Sequence, residues 1–160
     1  MHSRIFQVSN KPIDKDDYAI PEHFYDCHSD WADYIGETQD DNDRKSDIKA
    51  LSCLLRDMFD LDESGEALVY KGGIDAFKEE WAAAIREAAK AVTADNVLDW
   101  HQHYDVCHAC KDTHLNVSYR FSIEGWSTYA NAIDELIRFI AYKLKEGDKL
   151  YFGSVIDYHY

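Results

Sequence analysis

Between Trp100 and His114 the chain reads WHQHYDVCHACKDTH, placing four histidines and two cysteines within fifteen positions. Cysteine thiolates and imidazoles are the ligands of zinc, and Cys107-x-x-Cys110 has the spacing of a zinc half-site. His103, Cys107, Cys110 and His114 are separated by 4, 3 and 4 positions, which puts them on one face of a helix. Along a helix His103 and His114 would lie about 16 Å apart at ~1.5 Å per residue, so four such ligands cannot meet at one ion. A single helix offers only a neighbouring pair, and the remaining ligands would come from Cys27, His23 or His28. The plainer reading makes Cys107 and Cys110 small apolar residues of a packed helix face beside Trp100. It is the one the spacing favours.

Redox chemistry fits less well. A thioredoxin-like pair sits where a strand enters a helix and uses a downstream proline. Here both prolines, Pro12 and Pro21, precede the motif. Covalent haem attachment needs C-x-x-C-H, and the sequence has CHACK. A second candidate, DLDESGEALVYK, opens like a calcium loop with Asp60, Asp62, Ser64 and Gly65 at the first, third, fifth and sixth positions. Its twelfth position should be a bidentate glutamate and is Lys71, so a polar turn is expected instead. No phosphate-binding glycine loop, dinucleotide fingerprint or nucleophile elbow occurs.

Acidity is the strongest compositional signal. The 160 residues carry a net charge of −14. From Ile13 to Glu66 there are 17 acidic residues against 5 basic ones, a net of −12, and the rest of the chain is nearly balanced. Such a surface repels nucleic acid and anionic membranes and suits a basic protein partner. Asp26, Asp30, Asp33 and Glu37, spaced 4, 3 and 4, would line one face of a helix over residues 22–36, beside Phe24, His28, Trp31 and Ile35. Like charges at that spacing repel, so a solvated face or a neutralising partner is expected there.

These residues need elements to position them. A short strand is expected over 4–9, a loop over 11–20 and a polar break at Asp40–Asp43. A helix then covers 44–59, with Ile48, Leu51, Leu55, Met58 and Phe59 inward. A strand at ALVYK closes on the Gly72–Gly73 turn. The most regular helix spans 74–92, with Phe77, Trp81, Ala84, Ile85, Ala88 and Val92 in a stripe. Another begins near Ala94 with Thr93 as its N-cap. Residues 115–123 alternate as a strand with Arg120 and Ser122 on a solvated face. A helix follows over 127–145, carrying Tyr129, Ile133, Leu136, Ile137, Ile140 and Leu144. A strand ends the chain. The expected fold is one α+β domain over 1–160, with a small, mostly antiparallel sheet of about four strands covered by four to five helices.

The opening SRIFQVSNKPI, followed by DDY, resembles the start of small acidic bacterial proteins of unknown function. That resemblance spans about twenty residues and implies no activity. The start also lacks a signal-peptide apolar segment, and no apolar run reaches membrane-spanning length. A cytoplasmic location with reduced thiols is therefore expected.

The sequence thus points to a non-enzymatic protein-interaction or regulatory module using the acidic 22–66 region, with no cofactor. The alternatives are a zinc-binding domain built on the Cys107/Cys110 and histidine cluster, and a phage-type nucleic-acid mimic that blocks another protein's binding groove. A third is carboxylate chemistry in a cleft between helices and sheet. The aromatic content leaves room for a homo-oligomer interface.

Overall fold

The computed structural model describes residues 2–26, 31–101, 104, 106, 119–124 and 130–160. Its centre is β6 (Lys149–His159), eleven residues that run KLYFGSVIDYH with none exposed and the run from Phe152 to Ile156 wholly buried. β1 (His2–Ser9) pairs antiparallel along one side of it. The other side is shared. β4 (Ala67–Tyr70) pairs with the first part of β6, and β2 (Tyr34–Thr38) with the last. β3 (Phe59–Leu61) extends the sheet beyond β4, and β5 (Arg120–Ile123) lies parallel to β1 at the opposite edge. The fold is α+β, as expected, but among the described residues the sheet has six strands rather than about four, with one parallel pairing.

One face of the sheet is covered by helices. α1 (Asp41–Leu54) and α3 (Ile133–Lys143) bury Ile48, Leu51, Leu136, Ile137 and Ile140 against Phe6, Val8, Phe121, Phe152 and Val155. α2 (Ile74–Lys90) joins this core chiefly through Phe77, with Trp81 packed against it. Burying one such side chain is worth about 1.5–3 kcal/mol. α1 starts at Asp40, whose carboxylate accepts hydrogen bonds from the amides of Asn42 and Asp43. The expected polar break at 40–43 is therefore the cap and first turn of α1. The helix ends at Leu54 instead of reaching Phe59, because Arg56 takes a positive φ of 53° and the chain turns into β3. Gly72 and Gly73 have φ near 90° (87° and 89°), the left-handed turn their sequence announced.

The opposite face is covered by irregular chain. Residues 12–26 and the segment into β2 bring Ala19, Phe24 and Ile35 onto Ile5, Ile156 and Tyr158. The helix expected over 22–36 is absent from the described part of that stretch. A short 3-10 turn, Pro21–Phe24, gives way to β2. Phe24, Trp31 and Ile35 mimic helical spacing because separate turns and a strand deliver them to one apolar cluster. Gly36 and the β-prone Tyr34, Ile35 and Thr38 favour the strand. This layer also corrects the solvated face expected for β5, since Ser122 is buried and Arg120 half-buried.

Residues 93–99 form turns, so Thr93 is not a helix cap. Its amide donates to the Asn96 side chain, and helical geometry resumes at Trp100. α3 begins at Ile133 and ends at Lys143, inside the expected 127–145; residues 127–129 and 115–118 lie outside the described residues.

Candidate functional site

The acidic segment and the sheet are joined at a β-bulge. Where β1 contributes Gln7, β6 contributes both Gly153 and Ser154. The buried Gln7 amide oxygen accepts from the amide of Ala19 at 2.8 Å and that of Ser154 at 3.1 Å. Its nitrogen donates to the Asp17 carbonyl at 2.9 Å. One side chain thus fastens residues 17–19 to the sheet. Gly153 is required because a Cβ there would lie 2.1 Å from the Gln7 oxygen.

From the helical side, Arg44 closes the same bulge. Its guanidinium donates to the carbonyl of Gly153 at 2.6 Å and to that of Phe152 at 2.8 Å. It also lies over the Tyr18 ring and 3.6 Å from Glu66. Arg44 is the base of a cleft of about 220 Å³ lined by Pro12, Ile13, Tyr18, Glu66 and Tyr151.

Around this frame the acidic residues fall into two groups. Some have structural partners. Asp40 caps α1, Asp47 takes Arg4 at 2.7 Å, and Asp60 takes Lys71 at 2.9 Å. Asp62 accepts from Ser64, from the amides of Glu66 and Ala67, and from Lys149. Burial opposes ionisation of Asp62, but these donors overcome it and hold the carboxyl at about 2. The polar turn expected over this stretch is present, with Asp60 and Asp62 occupied by lysines and by the turn itself. Burial lifts the Asp47 carboxyl above its ordinary value, with Arg4 opposing and Asp43 and Asp157 adding to the rise.

The second group has no cationic partner among the described residues. Asp14, Asp16, Asp17, Glu22, Asp26 and Glu37 are all exposed. Five of them sit on the irregular layer over the sheet. Lys15, the one cation within 12–26, reaches Asp41 at 3.6 Å, which sets this layer beside the first turn of α1.

Of the carboxylates expected on one helix face, Asp26 and Glu37 are exposed but lie on different elements, after the 3-10 turn and within β2. Asp33 is committed to the ring of His159 at 2.9 Å, and Asp30 lies outside the described residues. They form no helical stripe, because the segment spans two elements on two parts of the sheet. The zinc candidates His103, Cys107, Cys110 and His114 also lie outside the described residues, as do Cys27 and His28. His23 is exposed on the 3-10 turn. Among the described residues no group of three or more His, Cys, Asp or Glu side chains is placed to hold a metal ion, and no helix is long and apolar enough to cross a membrane.

The residues that sequence reasoning missed are Gln7, Arg44 and Gly153. A lone glutamine in an apolar strand and a lone arginine on a helix gave no periodic signal. Comparison with protein-family models, with curated proteins and with solved structures found no match.

Proposed function

We propose that this protein is a non-enzymatic interaction module, and that its acidic layer over residues 14–26, continued by the first turn of α1, receives a basic surface of a protein partner. The observation that carries the reading is the division of the carboxylates. Asp40, Asp47, Asp60 and Asp62 have cations or amides to satisfy them, whereas Asp14, Asp16, Asp17, Glu22 and Asp26 crowd one layer, exposed and without a cation among the described residues. Uncompensated like charge costs stability, and a chain that holds it on an anchored layer has a use for the field it makes. The anchoring through Gln7 supports the same reading, because a pre-ordered surface loses little entropy on binding.

Complexes of this kind associate quickly at low salt and slow as ions screen the charges. The test is capture of partners from lysate on immobilised full-length protein, followed by association kinetics with the captured species across 50–500 mM salt. The reading expects the association rate to fall roughly tenfold or more over that range, in keeping with electrostatic steering. Salt-independent association would contradict it.

A further inference from the structure

The cleft above Arg44 has a charged base that its own surroundings leave half used. Only 4% of the Arg44 side chain is exposed, and two of its nitrogens, Nε and Nη2, are spent on the carbonyls of Gly153 and Phe152. The third, Nη1, makes no hydrogen bond among the described residues. It meets the Glu66 carboxylate at 3.6 Å, and that carboxylate lies 3.4 Å from Lys45. Both distances exceed the ~2.7–2.9 Å of a charge-assisted hydrogen bond. Tyr18 packs its ring against the guanidinium, 5.5 Å from the ring centroid. Gln7 fixes Tyr18 from both sides, through the Asp17 carbonyl and the Ala19 amide. A cation and a carboxylate, neither closely paired, thus line one cleft of about 220 Å³ walled by Pro12, Ile13, Tyr18 and Tyr151.

We infer that this cleft binds a free α-amino acid with an apolar side chain. Nη1 of Arg44 donates to the ligand's carboxylate, and the ligand's ammonium group donates to Glu66. The spacing agrees. Backbone bond lengths put the nitrogen of an amino acid roughly 3 Å from its nearer carboxylate oxygen. The four charges then alternate around a quadrilateral whose protein side is the 3.6 Å gap. A ligand of one sign fits worse. A simple anion meets Glu66 and Asp62 in the same cleft, within a chain of net charge −14, and a simple cation meets Arg44. A zwitterion adds no net charge and gives each group its opposite. The volume suits it as well. The 220 Å³ equals about seven waters at ~30 Å³ each, below the ~300–1,000 Å³ of sites for drug-sized ligands. Pro12, Ile13 and the two tyrosine rings offer the ligand's side chain an apolar wall.

The site goes beyond the partner surface, since Asp14, Asp16, Asp17 and Glu22 do not line it. In the test, L-valine, L-leucine and L-phenylalanine are each titrated into the full-length chain. The Arg44 Nε–H and the amides of Tyr18 and Glu66 are followed by ¹H–¹⁵N NMR. At least one amino acid should shift all three signals on one saturation curve, with one ligand per chain. The analogue of that amino acid lacking the ammonium group, and the one lacking the carboxylate, should each bind about tenfold more weakly or worse, the loss of one charged hydrogen bond. Glu66→Gln, a change at a half-exposed side chain, should weaken the amino acid by a similar factor and leave the deaminated analogue no weaker. Asp14→Asn/Asp16→Asn/Asp17→Asn should bind as the wild type does, which separates this site from the acidic layer. No saturable shift with any of the three up to millimolar concentration, or a deaminated analogue that binds as tightly as its amino acid, would overturn the site. So would amino-acid binding unchanged in Glu66→Gln. The analogue series uses the unaltered chain, so it decides the matter even if a variant fails to fold.

Discussion

Three residues, Gln7, Arg44 and Gly153, carry much of the specification at the bulge in β6, and two of them can be tested singly and together. Gln7 and Gly153 interlock, so Gly153→Ala should destabilise by about 1–3 kcal/mol through overpacking. Gln7→Ala should cost a similar amount by leaving the Ala19 and Ser154 amides without their acceptor. The double variant should cost less than the sum, which denaturant unfolding of all four proteins would measure. Asp62 has a pH signature. Its folded carboxyl is held at about 2 against an ordinary 3.8, so its contribution is complete above about pH 4 and lost as pH falls through 2. That shift corresponds to roughly 2 kcal/mol or less. Asp62→Asn should therefore lower stability at pH 7 and flatten the decline between pH 4 and pH 2, as chemical unfolding at each pH would show. None of these roles was legible in the sequence. A buried glutamine or arginine is recognised by what surrounds it, and neither residue repeats with a period.

At the scale of elements, periodicity was informative wherever an element buries one continuous face. α2, α3, β1, β4 and β6 lie where the apolar pattern put them, with ends displaced by several residues. It misled over residues 22–36, where Phe24, Trp31 and Ile35 have helical spacing. Those residues reach one apolar cluster from a 3-10 turn, a connecting segment and an edge strand. Spacing along a chain cannot separate that arrangement from a helix. The start of α1 was misplaced for a related reason. A run of acidic residues looked like a break, yet one of them is the cap. Asp40→Ala should destabilise by about 1 kcal/mol and fray the first turn of α1, which amide hydrogen exchange at Asn42 and Asp43 would report. Asp41→Asn, which removes only a long, exposed pair with Lys15, should change stability by less than about 0.5 kcal/mol.

The whole molecule is a sheet covered on both faces by different means, helices on one and an acidic, irregular layer on the other. Net charge and its bias to the first half were plain from the sequence. Which carboxylates are used internally was not, because ion pairs such as Asp60–Lys71 and Asp62–Lys149 depend on the folded turn and on a strand 87 positions away. What remains after that subtraction is the surface on which the functional reading rests. The most direct measurement compares two charge-neutralised forms of the full chain with the wild type in partner capture. One carries Asp14→Asn, Asp16→Asn, Asp17→Asn and Glu22→Gln on the layer. The other carries Asp75→Asn, Glu87→Gln, Asp95→Asn and Glu146→Gln elsewhere. Loss of a partner by the first form but not the second, with both folded by circular dichroism, is the expected result. Equal capture by all three proteins, or equal loss from both variants, would contradict an acidic layer built for recognition.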